Sequence, residues 1–411
     1  MTTKPKTVPE LRFPGFDSDW IESSLGDAIT SLDAGVSVNS EDTPTIGDEL
    51  GIMKTSCVTK GYFDAAENKR VIDPIEINRL KEPVSKDSIV ISRMNTPALV
   101  GLSGLVPQDE NRLFLPDRLW AAKISSNHDP RWIAQLLASE KVRIQLSDRA
   151  SGTSGSMKNI TKGNVLSLPV SIPTLPEQRK IADFLTAVDG RIGQLSQKKA
   201  LLEDYRKGVM QQLFTQALRF KDDHGNDFPE WEEKTLGEIG KITTGKTPST
   251  SDDAAWIGDT MFVTPTDIGE DTKFQRSTKR HVNGEKLRLI PKHSLMFTCI
   301  ASVGKMSIAT EPCITNQQIN SVSVNSGYFF EFIYYALRHL TPKIKATQAN
   351  TTLPIINKTE FSKFLLPIPS FPEQIKIAKF LTALDRKIES VSQQITHTQA
   401  FKKGLLQQMF V

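Results

Sequence analysis

The sequence predicts a mixed α/β (α+β) chain of two globular domains, each followed by one long amphipathic helix, so that the second half is an internal copy of the first. Three observations carry this. First, IPTLPEQRKIADFLTAVDGRI at 172–192 returns as IPSFPEQIKIAKFLTALDRKI at 368–388, an ungapped shift of 196 that also aligns KGVMQQLF (207–214) with KGLLQQMF (403–410). Second, apolar residues recur every seven positions through both copies. Third, the alternating runs SIVISRM (88–94) and INSVSVN (319–325) read as strands upstream of the copies. At 411 residues the chain exceeds one ordinary core. The expected layout is domain 1–172, helix 173–215, domain 216–367, helix 368–411.

The elements follow in order. Trp20 leads to Leu25-Gly26-Asp27 as Trp231 leads to Leu236-Gly237-Glu238, and KDSIVISRM (86–94) with VGLSG (100–104) parallels KHSLMFTCI (292–300) with VGKMS (303–307). A shorter helix is expected over Pro130–Gln145, capped by Asp129, and another over 328–340, ended by Pro342. Polar stretches, ASGTSGS (150–156) and ATQANTT (346–352), precede Ile160 and Ile356, where the shift of 196 resumes. Each long helix has Pro176 or Pro372 in its first turn, then Glu177 or Glu373, whose charge suits the positive end of the helix dipole. No proline follows in either copy, so each predicts a helix of about 39 residues, roughly 58 Å long.

Along the first helix Ile181, Val188, Leu195, Leu202 and Val209 repeat every seven residues, interleaved with Leu185, Ile192 and Leu213. The second repeats the pattern with Ile377, Leu384, Val391 and Leu405, and with Leu381, Ile388, Ile395 and Met409. This is a coiled-coil seam, and it predicts that the two copies pair with each other rather than each packing on its own domain. Lys199, Arg206, Thr398 and Lys402 interrupt it.

Composition narrows the function. No apolar run is long enough to span a bilayer, and MTTKPKTVPE lacks a signal-peptide core, so a cytoplasmic protein with no membrane partner is expected. Cys57, Cys299 and Cys313 are three thiols without CxxC spacing, and His281 and His293 have no carboxylate partner at ligand spacing, so no metal is expected. The net charge is +4, with +2 in 176–215 and +3 in 372–411. The rest is near neutral, so binding to nucleic acid would need local basic patches and phosphate contacts from a partner.

Gly240-Lys241-Ile242-Thr243-Thr244-Gly245-Lys246-Thr247 fits the phosphate-cradling pattern GxxxxGK[ST], which works only when a helix leaves the loop. Here Pro248 follows and disfavours a helix start. Pro312-Cys313 and Pro116-Asp117 stand without the companions that cytosine methylation or nuclease chemistry requires, and no Asn/Asp-Pro-Pro-aromatic tetrapeptide is present. The groups that remain suit DNA. Arg and Asn pair bidentately with guanine and adenine, and Ser, Thr and Lys hold phosphates. The candidates are Lys54, Thr55, Ser56, Lys60, Arg93 and Asn95 in the first domain. In the second they are Lys246, Thr247, Thr298, Ser302, Lys305, Asn316, Gln317 and Gln318.

The LPEQ(x)KIA(x)FLTA(x)D-type copies at 175–189 and 371–385, each after an Ile-Pro and a divergent domain, resemble the specificity subunits of Type I restriction–modification enzymes. LRFPGF(x)SDW (11–20) and FPEWEEKTLGEIGKITTGKTP (228–248) are similar to the openings of that family's target recognition domains. The resemblance implies two target recognition domains, at 1–172 and 216–367, each reading one half of a split, asymmetric sequence in double-stranded DNA. It also implies that the helices pair antiparallel and set the spacing. Two modification subunits would dock and bring S-adenosylmethionine, and two restriction subunits would bring ATP with magnesium, so this chain holds no cofactor and is itself non-catalytic. The rival readings are a P-loop NTPase centred on Lys246 and a coiled-coil adaptor without a DNA role.

Overall fold

The computed structural model describes residues 8–152, 157–270, 272–285, 287–348 and 355–411. The first seven residues and most of the two polar stretches, 153–156 and 349–352, lie outside the described residues. The chain divides into two compact units, one of residues 1–196 with 392–411 and the other of residues 197–391.

In the first unit Ile21–Ser24 pairs antiparallel with Pro169–Ile172, closing the domain where it meets the long helix. A four-stranded antiparallel sheet follows in the order Ile29–Ala34, Leu119–Ile124, Ile89–Ser92, Ser103–Leu105. Alternation gives the sheet two buried faces. Ile89 and Ile91 pack with Trp20, Trp132 and Leu136. Val90, Leu119 and Ala121 pack with Cys57, Val58 and Leu113, which underlie a second sheet of Asn68–Arg70, Gly51–Met53, Glu110–Phe114 and Pro83–Val84.

The second unit repeats the frame. Glu232–Thr235 pairs with Leu365–Ile368, and the main sheet runs Gly240–Thr244, Ile319–Val324, Leu295–Thr298, Met306–Ala309, with Phe274–Gln275 added parallel at the edge. Leu295 and Phe297 face Phe332, Ile333 and Leu337, while Met296 and Ile319 face Met261, Val263 and Ile290.

Both shorter helices depart from expectation. The first is two helices, Pro130–Ala138 and Glu140–Asp148, broken at Ser139, which is extended (φ −62°, ψ 144°) and donates its hydroxyl to Leu136 O at 2.7 Å. The second, Phe330–Gln348, runs through Pro342 instead of stopping there. Proline removes one rung of the ladder, yet Leu337, Thr341 and Ile344 are buried on both sides of it. That continuous buried face holds the helix together.

The long helices span Leu175–Phe214 and Phe371–Met409, and each belongs half to one unit and half to the other. In the first unit Ile181, Leu185 and Val188 share a core with Leu405 and Met409. In the second, Ile377, Leu381 and Leu384 share one with Val209 and Leu213. Leu195, Ile388 and Val391 are buried as well, whereas Ile192, Leu202 and Ile395 are half-buried. Within each unit, then, the amino half of one helix lies antiparallel to the carboxyl half of the other. The seam also closes the unit's own core, so pairing with the other copy and packing on the domain are not alternatives. Two seam interruptions are explained by ion pairs: Lys402 to Asp189 in the first unit and Arg206 to Asp385 in the second, each at 2.7 Å. Asp189 and Asp385 are one position of the repeat, and Arg206 and Lys402 another, so a single contact is made twice.

Candidate nucleic-acid interface

The structure divides the first domain's candidates into two groups. Lys54, Thr55 and Ser56 sit at the 3-10 turn Thr55–Val58 among acids: Lys54 pairs with Asp42 at 3.2 Å, and Ser56 donates to Glu67 at 2.6 Å. Lys60 pairs with Asp64 at 3.0 Å, which raises its pKa. Lys69 and Lys54 together hold the Asp42 carboxyl below its usual range. This surface is charge-balanced.

Arg93 and Asn95 stand elsewhere, at the carboxyl end of strand Ile89–Ser92, and there the structure gathers groups that sequence reasoning missed. Arg93 lies over the Trp120 ring, 5.4 Å from its centroid, and donates to Asp117 O at 3.3 Å. Asn95 pairs in register with Lys158, and Met94 with Asn159. The exposed side chains of Asp117 and Arg118 form the turn before the neighbouring strand Leu119–Ile124, and Arg118 O accepts from Arg93 N at 3.1 Å. Ser37 donates to the Asp117 carboxylate. Among the described residues neither Arg93 nor Arg118 is ion-paired.

In the second domain Lys246, Thr247, Gln317 and Gln318 come together. Lys246 N donates to Thr315 O at 2.8 Å, Thr247 Oγ1 donates to Gln317 Oε1 at 2.6 Å, and Asn316 Nδ2 donates to Gln318 Oε1 at 2.9 Å. Asn316 is only 9% exposed and serves this turn. Thr298 has no surface to offer: it is fully buried and accepts from Lys305 N at 2.9 Å while donating to Ser302 O. It shapes the turn that leaves Ser302 exposed and Lys305 half-exposed, the latter 3.8 Å from Glu270.

The phosphate-loop pattern does not form a phosphate loop. A short helix, Leu236–Ile239, precedes it, and Gly240–Thr244 is a strand antiparallel to Ile319–Val324. Gly245–Thr247 belongs to neither helix nor strand, and the next element is the 3-10 turn Asp253–Trp256, so no helix leaves the loop. Gly245 is required because a Cβ there would collide with the carbonyls of Thr315 and Asn316. The three thiols are buried, which pushes Cys57 and Cys313 up to about 12 and Cys299 to about 11. Among the described residues no group of three His, Cys, Asp or Glu side chains could hold a metal ion, and no helix is long and apolar enough to cross a membrane.

The LPEQ copies do more than start helices. Glu177, 1% exposed, accepts from Arg12 Nε at 2.7 Å, Arg12 Nη2 at 2.8 Å and Trp20 Nε1 at 3.3 Å. Glu373, fully buried, accepts from Arg219 Nη2 at 3.0 Å and Trp231 Nε1 at 3.2 Å. Gln178 accepts from Asp129 N and Gln374 from Phe329 N, tying each long helix to the start of the shorter helix segment of its unit.

A duplicated α/β frame that fastens two diverged domains to matched helices, and gathers Arg93 and Asn95 in one and Lys246, Gln317 and Gln318 in the other at the ends of main-sheet strands, has the organisation of a two-part recognition chain. A family model described as Type I restriction modification DNA specificity domain matches residues 62–204 and 229–397. The chain belongs to that family and is a DNA-specificity subunit of the Type I restriction–modification kind. It is 30% identical over 190 residues to the MjaIX specificity subunit of Methanocaldococcus jannaschii, a match spanning 44% of each chain. It is 24% identical over 424 aligned positions to the HindI specificity subunit of Haemophilus influenzae, covering 86% of this chain and 90% of that one. A crystal structure of a Type I S subunit from M. genitalium superposes over 98% of this chain and 99% of that one, with a TM-score of 0.62 at 16% identity, and so shares the fold.

Proposed function

We propose that the first and second domains each read one half of a bipartite, asymmetric DNA sequence, that the long helices set the gap between the halves, and that the same helices dock two modification subunits. The modification subunits supply S-adenosylmethionine and the methyl transfer. Two restriction subunits supply ATP- and magnesium-dependent work, and this chain contributes recognition only. The observation that carries this is the contrast within the repeat. The helices and their ion pairs are kept alike, while the domains keep one strand order and change the polar side chains at its edge.

The docking part rests on a matched surface. Tyr205 and Phe401, 53% and 56% exposed, hold one position of the repeat, three residues before Gly208 and Gly404. A helix-interior glycine costs about 1 kcal/mol relative to alanine, and a Cβ at either glycine would meet nothing in this chain. Close approach by a partner's backbone accounts for both glycines, and two like faces suit two copies of one partner.

An insertion of four residues in the first long helix tests the spacer. It adds about 6 Å, close to two base pairs at roughly 3.4 Å each, and slightly more than one helical turn. Methylome sequencing of the assembled enzyme is expected to show a wider unread gap with both half-sites unchanged. An altered half-site would refute the spacer role. Replacing residues 216–367 with another such domain is expected to change one half-site only.

A further inference from the structure

The two main sheets carry corresponding backbone contacts at one end and differ there in their side chains. In the first unit Gly35 ends strand Ile29–Ala34, and a Cβ there would collide with Leu115 O. In the second Gly245 ends strand Gly240–Thr244 against the carbonyls of Thr315 and Asn316. Two residues past each glycine a hydroxyl reaches across to the opposite turn, Ser37 to Asp117 and Thr247 to Gln317. The next residue of that turn, Arg118 or Gln318, receives on its carbonyl the backbone N–H of the residue after the neighbouring strand, Arg93 at 3.1 Å or Cys299 at 2.7 Å. Glycine, hydroxyl clasp and cross-strand bond therefore align Ser37 with Thr247, Asp117 with Gln317, and Arg118 with Gln318.

At these aligned positions the clasp residues Asp117 and Gln317 are both exposed, as is Arg118, while Gln318 is half-exposed. Both turns stand at the end of the sheet that also carries a cation free of ion pairs among the described residues, the half-buried Arg93 in the first unit and the exposed Lys246 in the second. A rigid backbone presenting different polar forks at one place suits direct readout. Arginine is the fork for guanine O6 and N7, aspartate accepts from cytosine N4, and glutamine is the fork for adenine N6 and N7.

We infer that these turns are matched base-reading positions: Arg118 with Asp117 reads a G·C pair in one half-site, and Gln317 with Gln318 reads an A·T pair in the other. The hydroxyl of Ser37 or Thr247 orients the clasp residue. This rests on the two-domain DNA-reading function proposed above.

The test uses the chain assembled with its modification subunits and reads the methylated motif across a host genome. Asp117→Gln with Arg118→Gln is expected to convert or relax one G·C position of one half-site and leave the other half-site intact. Gln317→Asp with Gln318→Arg is expected to do the converse in the other half. Arg118→Lys keeps the charge but loses the fork. In competition binding with duplexes differing at that pair, it should lose on the order of 10–100-fold discrimination while overall binding persists. The assignment is overturned if Arg118→Lys and every double variant that still methylates retain the wild-type motif at all positions. Should the double variants not methylate, undiminished discrimination by Arg118→Lys overturns it alone. A wild-type complex with no defined motif would instead overturn the DNA-reading function itself.

Discussion

Truncating Glu373 separates two physical accounts of the LPEQ motif. If the glutamate only complements the helix dipole, Glu373→Ala costs about 0.3–1 kcal/mol. The structure gives it a larger task. Its carboxylate is fully buried and holds Arg219 and the Trp231 indole, so removing it strands a cation that is 21% exposed and an indole N–H. Breaking a buried pair by deleting one partner costs about 3–5 kcal/mol. Arg219 also donates to Phe228 O and Pro229 O, at 3.1 and 2.7 Å, and keeps some contact with water, which places the expected loss near the lower end, about 3 kcal/mol. For a unit of this size that is a fall in Tm of roughly 6–12 °C. Glu373→Gln retains an acceptor and is expected to cost about 1–2 kcal/mol. Urea and thermal unfolding of the full chain, followed by circular dichroism, would measure both. A loss of 1 kcal/mol or less for Glu373→Ala would refute the clamp and leave the dipole as the whole explanation. Glu177→Ala is expected to act in the first unit in the same way and more strongly, because Arg12 is only 13% exposed.

Gly245→Ala is expected to destabilise the second unit by at least about 2 kcal/mol, because the clash is with backbone carbonyls that cannot rotate away; a neutral effect in urea unfolding would contradict the close approach. Asp385→Ala should cost about 2–3 kcal/mol, since that carboxylate is 18% exposed and serves both Arg206 and Tyr335, whereas Asp189→Ala should cost about 1, its carboxylate being 40% exposed. Equal losses in unfolding experiments would count against that ranking. His339 stacks on Phe214 with ring centroids 5.1 Å apart, and burial lowers its pKa. The unfolded chain therefore binds the proton first, so the stability present above about pH 6.5 is lost as pH falls through the folded value. His339→Gln should show a shallower decline between pH 7.5 and 5.5, and an unchanged slope would exclude the residue as a contributor.

The repeat, the long helices and the strands around 88–94 and 319–325 were legible because each is a local or periodic pattern. The edge turns were not. Ala34-Gly35-Val36-Ser37 and Thr244-Gly245-Lys246-Thr247 are alike, but Leu25 lies ten residues before its glycine and Leu236 nine before its own. The structure accommodates the first unit's extra residue as a bulge at Thr30, where pairing passes from Ser31–Lys123 to Ile29–Ile124, while the second unit's strand pairs without interruption. Aligned at the glycine instead of at the preceding helix, the sequence would have added Ser37 to the candidates, while Asp117 and Arg118 follow only from the cross-strand contacts. The LPEQ clamp was hidden differently. Its arginines lie 165 and 154 residues upstream, and no local pattern reports a partner at that distance. Thr298 failed as a candidate because its turn consumes the hydroxyl, which strand-end position alone does not reveal.

The antiparallel contact made twice explains why the copies have diverged where they have. Asp189 and Asp385 each join the opposite helix to the shorter helix of their own unit, through Gln135 at 2.9 Å in one case and through Tyr335 in the other. A change in the long-helix aspartate would disturb both contacts at once, so it is held constant. The partner on the shorter helix has only to donate to that aspartate and is free to be an amide or a phenol. The same reasoning holds at the sheet edges. Gly35 and Gly245 are fixed by backbone collision, the clasp hydroxyl varies only between Ser37 and Thr247, and the exposed residues beyond it share no chemistry. Constraint decreases from the helices outward to the turns, and the side chains free to differ are the exposed ones proposed above as base readers.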